Sequence, residues 1–215
     1  MKFNNRHHSE TQLRSSIFSQ LPIRIAVVMV VIFCGLTTQN AVAQTNNEIT
    51  FPKGYNNLSI LYRNIAIEDY NMNGFAFEWI HGFSVSEKYP IYIETGAGLN
   101  MGLKDEGSGA YGGYGYINVP VNGTYRFNLP NSVVNLSPYL GLNLKGNIVG
   151  SRDLATDTQE WFSDYNFKRF QIGWHIGCNL NYKKLHASIS YGTDFIKIAK
   201  KTNVGTFSVG IGFNW

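Results

Sequence analysis

The feature that most constrains this chain is a two-residue alternation of apolar and polar side chains, clearest between residues 170 and 182. From Phe170 to Tyr182 every second residue is apolar or aromatic, and the residues between them are polar or small. Successive side chains of a β-strand point to opposite faces of the sheet. The segment is therefore predicted to be a strand with one apolar face and one polar face.

The alternation recurs in seven further segments, so the sequence predicts eight strands. The other predicted strands lie near residues 58–62, 75–79, 91–101, 117–121, 136–144, 185–191 and 207–215. Short turns are predicted near 87–88, 130–131 and 183–184, and longer connections at 69–73, 104–112, 150–166 and 197–202. An even strand count with short turns at one end and longer loops at the other is typical of outer-membrane barrels. We therefore predict an all-β fold, an eight-stranded antiparallel up-and-down transmembrane β-barrel with its short turns in the periplasm.

A soluble β-sandwich or lipocalin-like barrel is the structural alternative, because it alternates in the same way but buries its apolar face in a core. Two features favour the membrane barrel. The polar-face positions are mostly Gly, Asn, Ser and Tyr with scattered charges of both signs, which suits a narrow polar lumen. Aromatic residues also gather towards the strand ends, as in the interfacial girdles of membrane barrels.

The first 43 residues have the order of a secretory signal peptide. Basic residues precede an apolar run from Ile25 to Leu36, and the small-residue triplet Ala41-Val42-Ala43 follows it. The apolar run is shorter than the roughly 18 to 20 residues that span a bilayer as a helix. We predict cleavage between Ala43 and Gln44 and export to a Gram-negative outer membrane. The predicted divisions are a signal peptide at 1–43, a periplasmic segment at 44–56 and the barrel domain at 57–215.

The charge balance gives no support to nucleic-acid binding. The predicted leader holds four of the 18 Lys and Arg residues and one of the 14 Asp and Glu residues, which leaves 14 basic and 13 acidic residues. The formal net charge of +4 is thus mostly a property of the leader. The predicted partners are outer-membrane lipid and lipopolysaccharide, and the barrel-assembly machinery during biogenesis.

Several short blocks of the predicted barrel match a known family in order and spacing. They are Tyr116-Ile117-Asn118-Val119-Pro120-Val121, Tyr125-Arg126-Phe127 and Ser137-Pro138-Tyr139-Leu140-Gly141. The chain resembles the PorT-like outer membrane protein beta-barrel domain family of small porin-like barrels, although Asn118 stands where that family often has Glu. Most members have no defined activity, so the resemblance implies fold and location more than function.

The C-terminal alternation resembles the signal by which the barrel-assembly machinery recognises its clients. Its apolar positions are Phe207, Val209, Ile211, Phe213 and Trp215.

The predicted lumen carries charged residues that need partners. An eight-stranded barrel is just wide enough for side chains to fill it, and buried charges are costly unless they are paired. We expect Arg63 to lie opposite Glu78 and Glu94 to lie near Arg126, both as structural salt bridges. The alternative is a gated polar path for ions or small solutes. The other inward candidates are Lys145, Arg169, Gln171, His175, His186 and Asp194.

The best candidate for enzyme chemistry is the set Ser190, His175 and Asp194, which point inward on neighbouring predicted strands. Triads are recognised by geometry, and three common polar residues on two strands are more simply lumen filling. No His/Cys or His/Glu spacing suggests zinc. We predict no catalytic site, no cofactor and no metal, and a structural, transport or surface-interaction role. The alternatives are an outer-membrane enzyme acting on lipid or protein and a narrow solute channel.

The longest predicted loop, 150–166, is the candidate for contact with a ligand or partner. It carries Trp161, Phe162 and Tyr165, and exposed loop aromatics are more often recognition features than packing. Its acidic residues are interpreted as a solvated surface, with a divalent cation or a cation bridge to lipopolysaccharide as the alternative.

Overall fold

A computed structural model describes residues 52–67, 70–107, 110–129, 132–154, 157–164, 166–199 and 202–215. The predicted leader and its cleavage site at Ala43 and Gln44 lie outside these residues, as does Tyr165. Among the described residues, no helix is long and apolar enough to cross a membrane. The elements are β1 (Gly54–Ile67), β2 (Tyr70–Ser84), β3 (Ile91–Gly107), β4 (Ala110–Tyr125), β5 (Phe127–Asn128), β6 (Val134–Leu154), β7 (Asp157–Glu160), α1 (Trp161–Asp164), β8 (Phe170–Tyr182), β9 (Leu185–Asp194) and β10 (Val204–Asn214).

Eight long strands form a closed antiparallel barrel. Each long strand pairs with the next one along the chain, including β4 with β6, and β10 returns to pair with β1. The short strands β5 and β7 extend the two ends of β6. This arrangement confirms the predicted all-β, eight-stranded, up-and-down antiparallel barrel. We call the end with the Lys183-Lys184 turn the turn end, and the end with α1 the loop end.

The apolar face of each strand lies on the outside of the barrel. On β1, Leu58, Ile60 and Tyr62 are exposed, whereas the intervening Ser59 and Leu61 are buried. The same division follows the other long strands. Exposed apolar side chains of this outer band include Phe75, Phe77, Leu99, Met101, Ile117, Val119, Leu140, Leu142, Val209 and Ile211. The polar face is enclosed by the barrel wall, as the sequence predicts.

The strands extend further towards the loop end than the sequence indicates. Most of the predicted connections 69–73 and 104–112 are strand, and only two residues separate β1 from β2 or β3 from β4. The predicted loop 150–166 contains the end of β6 together with β7 and α1. At the other end, β1 begins at Gly54, three residues before the predicted start of the barrel domain. Backbone ladders continue through polar segments because their hydrogen bonds do not depend on side-chain polarity.

Close approach of β2 and β3 requires a glycine at position 74. A Cβ on Gly74 would lie 1.7 Å from the Met101 carbonyl oxygen and 2.7 Å from the Gly102 Cα, and both are backbone atoms of β3. Gly113 on β4 is different, since the nearest atoms to its added Cβ are 3.7 and 3.8 Å away.

We expect Gly74→Ala to destabilise the barrel by about 1–3 kcal/mol, the usual cost of overpacking. Gly113→Ala is the matched control and should leave stability nearly unchanged. The measurement is the urea midpoint of each variant folded in detergent micelles. Equal midpoints for the two variants would show that β2 and β3 do not approach as closely as described.

Candidate functional site

The barrel interior is the candidate site, because it collects polar and ionisable side chains from all the long strands. They are buried by the wall and lie within reach of one another. Buried polar and charged members include Asn57, Ser59, Arg63, Glu94, Asn100, Asn118, Asn122, Lys145, Asn147, Gln171, Asn181, His186, Ser188 and Asp194.

An ion pair between β1 and β2 occupies the middle of the lumen. Arg63 Nη2 lies 2.6 Å from Glu78 Oε1. Arg63 Nη1 donates to the Tyr116 hydroxyl at 3.0 Å, and Asn118 Nδ2 donates to Glu78 Oε1 at 3.2 Å. Gly98 leaves the room for this arrangement, since a Cβ there would lie 2.8 Å from Glu78 Cγ. The structure thus brings together the predicted pair and supplies each charge with a further partner, although Gly74 and not Glu78 is the residue opposite Arg63 in the pairing of β1 with β2.

A second buried ion pair joins β6 and β9. Lys145 Nζ lies 2.7 Å from Asp194 Oδ1, and both side chains are almost wholly buried. Lys145 Nζ is also 5.2 Å from the centre of the Tyr116 ring. Because the Tyr116 hydroxyl accepts from Arg63, this tyrosine contacts both cations. The two ion pairs therefore form one connected layer across the lumen, which we call the charged layer.

The predicted contact between Glu94 and Arg126 is wrong. Glu94 accepts hydrogen bonds from the Tyr55 hydroxyl and from Asn122 Nδ2, whereas the Arg126 guanidinium lies 4.2 Å from the centre of the Tyr55 ring. Tyr55 therefore lies between the two groups, and Asn122, the residue opposite Glu94 in the pairing of β3 with β4, supplies the second hydrogen bond.

Arg169 does not face the lumen. It precedes the first residue of β8, is exposed, and lies with its guanidinium 4.7 Å from the centre of the Phe162 ring. The alternation that predicts an inward side chain applies only inside the strand, and β8 begins one residue later, at Phe170.

His186 connects the strands at the closing seam of the barrel. One ring nitrogen lies 2.8 Å from Ser59 Oγ on β1, and the other lies 2.7 Å from Asn214 Oδ1 on β10. Asn214 Nδ2 in turn donates to Asn181 Oδ1 on β8 at 2.8 Å. Side-chain hydrogen bonds thus link four strands on the inner side of the β1–β10 junction.

Two of the three residues considered for catalysis are engaged with other partners. The His175 ring hydrogen-bonds Asn122, and Asp194 pairs with Lys145. Ser190 lies opposite Gly177 in the pairing of β8 with β9. No group of three or more His, Cys, Asp or Glu within the described ranges is placed to hold a metal ion.

A small polar cavity lies beside the charged layer on its turn-end side. Its volume is about 40 Å³, and Arg63, Glu78, Asn57 and Ser188 are among its lining residues. Asn57 Oδ1 and Ser188 Oγ are buried, and neither has a hydrogen-bond partner among the described residues. One water needs roughly 10–15 Å³ measured in this way, so the cavity has room for about three. Its size suits ordered water and not a wide channel.

An apolar cluster closes the lumen at the loop end. Trp161 on α1 is buried, its ring centre 6.0 Å from that of Tyr114 and 5.9 Å from that of Tyr70. The predicted exposure of Trp161 as a loop contact is therefore wrong, because α1 folds its first residue back onto the barrel. Phe162 is half-buried. The other buried members of the cluster are Ile65, Ile67, Met72, Tyr116, Ile198 and Val204.

This cluster was missed by the sequence reasoning, although a signal for it exists. Ile65 and Ile67 follow Arg63 at two-residue intervals, so they belong to the polar face of β1 by phase but are apolar. Apolar residues in the inward phase near a strand end indicate a plug of the lumen.

Aromatic rings also narrow the turn end. Tyr55 and Tyr92 are buried with ring centres 5.0 Å apart, and Arg126 covers both rings. Phe127, at the start of β5, is also buried, and its ring centre lies 4.5 Å from that of Tyr125. The lumen therefore has three zones, an apolar plug, the charged layer with its cavity, and an aromatic closure.

The apolar C-terminal residues lie on β10 and just beyond it. Val209, Ile211, Phe213 and Trp215 are exposed on the outer face, and Phe207 is half-buried. The backbone of Trp215 exchanges two hydrogen bonds with Asn56, at 2.9 and 3.1 Å. The end of the chain is thus part of the seam that closes the barrel.

Comparison with known proteins gave matches among solved structures only. No family model matches the chain, and no curated protein matches it. The crystal structure of Neisserial surface protein A is 16% identical with a TM-score of 0.48, over 75% of this chain and 97% of that one. Ail of Yersinia pestis, in complex with the heparin analogue sucrose octasulfate, is 15% identical with a TM-score of 0.48, over 76% of this chain and all of that one. The outer membrane enzyme PagL is 10% identical with a TM-score of 0.46, over 72% of this chain and 97% of that one.

Removing one partner of the central ion pair should cost more than removing both. Arg63→Leu or Glu78→Leu leaves an uncompensated buried charge, and we expect each to destabilise the barrel by about 3–5 kcal/mol. The double variant leaves neither charge, and its free energy of unfolding should lie within about 1 kcal/mol of that of the parent protein, because apolar replacements of buried ion pairs are often neutral. Urea unfolding in detergent micelles measures all four proteins. A double variant as unstable as the sum of the singles would contradict the pairing.

Proposed function

We propose that the mature chain is an integral outer-membrane β-barrel protein with a structural or surface-interaction role and a lumen sealed by side chains. The observation that carries this proposal is the continuous outer band of exposed apolar side chains. Soluble monomers rarely expose contiguous apolar patches larger than a few hundred Å². A bilayer is the environment in which such a band is stable around a whole barrel.

The strand lengths and the closure of the sheet support the same proposal. The eight long strands contain between 10 and 21 residues, and a tilted strand of about 9–11 residues crosses the hydrocarbon core. Closure leaves no edge in the ring of long strands, and lipid offers no partner for an unpaired backbone group. The strands therefore meet the two requirements that a membrane places on a β-structure.

Export and assembly belong to the proposal as well. The signal peptide at 1–43, membership of the PorT-like family and recognition by the barrel-assembly machinery rest on sequence resemblance. The exposed apolar side chains of β10 are compatible with the last of these, because a recognition signal must be accessible. We place the turn end in the periplasm and the loop end outside, since the two longest connections, between β6 and β8 and between β9 and β10, lie at the loop end.

The filled lumen favours a structural or surface role over transport through the barrel. The plug, the charged layer and the aromatic closure lie in series, and the cavity between them is only about 40 Å³. We also propose that the chain is not an enzyme. His175 and Asp194 are engaged with Asn122 and Lys145, which supports lumen filling over a catalytic arrangement with Ser190.

A membrane location predicts different costs for the same substitution at two exposed apolar sites. Leu142 is 48% exposed in the middle of the outer band, and we expect Leu142→Arg to lower the free energy of unfolding by about 2–4 kcal/mol, the cost of arginine near the bilayer midplane. Val85 is 58% exposed just beyond the end of β2, and we expect Val85→Arg to lower the free energy of unfolding by only about 0–1 kcal/mol. Urea unfolding from lipid vesicles measures both. A water-soluble barrel would tolerate the two changes equally, and that result would overturn the membrane location.

A sealed lumen predicts no wide channel in planar bilayers. We expect no steady current steps of porin size from the parent protein. Trp161→Ala should behave in the same way, because it opens the apolar plug but leaves the charged layer in place. A stable large channel in either protein would show that the side chains do not seal the barrel.

A further inference from the structure

Three exposed cations gather at the loop end, where β8 begins and β9 has ended. They are Lys168, Arg169 and Lys197, and we call them the basic platform. The Lys168 amide donates to the Ile198 carbonyl at 2.8 Å, which holds the segment before β8 beside the segment after β9. Two segments far apart in the chain therefore meet here, and both carry exposed cations.

Buried amides of the lumen hold the backbone of the platform. The side-chain Nδ2 of Asn147 donates to the Lys168 carbonyl at 2.8 Å, and the backbone N–H of Asn147 donates to the Arg169 carbonyl at 2.7 Å. Gln171 Nε2 donates to the Ile196 carbonyl at 3.3 Å, and the Gln171 side chain is fully buried. The backbone of the platform is thus held in place by hydrogen bonds from inside the barrel.

The cations of the platform are available to an anion. Within the part of the chain that the structure describes, none of the three forms an ion pair. The guanidinium of Arg169 lies over the Phe162 ring, 4.7 Å from its centre. A ring contact of this kind occupies the face of the guanidinium and leaves its in-plane N–H donors for phosphate or carboxylate oxygens.

The platform lies at the border of the outer apolar band. Phe170 directly follows Arg169, and Phe195 lies two residues before Lys197; they are 55% and 61% exposed. The Phe195 amide donates to the Ile172 carbonyl at 2.8 Å, which keeps Phe195 beside the outer face of β8. Aromatic rings against the hydrocarbon with cations just above them complement a lipid whose acyl chains end in an anionic headgroup.

We propose that the basic platform binds the phosphates of an anionic lipid headgroup, with Phe170 and Phe195 against the acyl chains. The inference rests on the proposed membrane location. It goes beyond that location because it assigns the contact to one side of the barrel and to three named cations. A phosphate is favoured over a carboxylate because Lys168, Arg169 and Lys197 together offer more donors than one carboxylate accepts.

The test compares two triple variants with the same change of charge. Lys168→Gln/Arg169→Gln/Lys197→Gln removes the platform, and Lys88→Gln/Lys183→Gln/Lys184→Gln removes three exposed cations at the turn end. The probe is bisphosphorylated lipid A added to each folded protein in neutral detergent, with binding measured by native mass spectrometry. Each cation contributes roughly fivefold to binding at an anionic surface, so we expect the platform variant to weaken binding by at least about tenfold. The turn-end variant should bind like the parent protein.

Two further arms identify the chemistry that is recognised. Lipid A without phosphates should bind as weakly to the parent protein as intact lipid A binds to the platform variant. Inorganic phosphate at the same concentration should not compete, because it lacks the acyl chains. Equal weakening in both triple variants, binding that survives loss of the phosphates, or competition by inorganic phosphate at that concentration would each overturn the proposal.

The failure of this inference is distinguishable from a failure of the membrane location. The comparison of Leu142→Arg with Val85→Arg does not involve the three cations. If those two variants differ as expected and lipid A binding is unchanged by loss of the platform, only the headgroup site is wrong.

Discussion

The closing seam between β1 and β10 is the constraint on which the rest of the structure depends. Its pairing runs from Asn57 opposite Asn214 to Ile67 opposite Val204, and Trp215 extends it to Asn56. In hydrocarbon, an open edge would leave a row of backbone groups without partners, at several kcal/mol for each group. Closing the ring with eight long strands removes that cost and at the same time fixes the width of the lumen. Every side chain on the inner face must then find its partner within that narrow space.

The contents of the lumen follow from that width. Charges cannot reach water easily, so Arg63 pairs with Glu78 and Lys145 pairs with Asp194, and Tyr116 contacts both cations. Amides fill the remaining positions because one amide group both donates and accepts, which suits a crowded interior. Towards the loop end the requirement changes, since α1 provides a tryptophan that packs on apolar residues. The charged layer and the apolar plug thus fill the same narrow lumen in two different ways.

How much could be predicted from the sequence depends on how local each contact is. The alternation from Phe170 to Tyr182 predicts a strand and its faces because the two-residue period belongs to the backbone itself. The pair Arg63–Glu78 joins neighbouring strands of one hairpin, but Gly74 is the residue opposite Arg63, so the contact depends on the reach of the two long side chains. Lys145 and Asp194 lie on strands separated by β8, and their pairing needs the curvature of the closed barrel. The predicted contact between Arg126 and Glu94 was wrong because Tyr55 lies between them. The burial of Trp161 was not predicted because it depends on the path of a loop.

The lumen and the loop-end surface are physically coupled. Asn147 and Gln171 belong to the buried polar set, yet their side chains hydrogen-bond carbonyl groups of the segments that carry Lys168 and Lys197. Tyr114 in turn donates to both of these amides, at 2.6 and 3.1 Å, and stacks against Trp161 of the plug. An open channel would need these amides to face water along a path. Here they instead connect the interior to the surface, so the filled lumen also holds the backbone of the segments that carry the exposed cations.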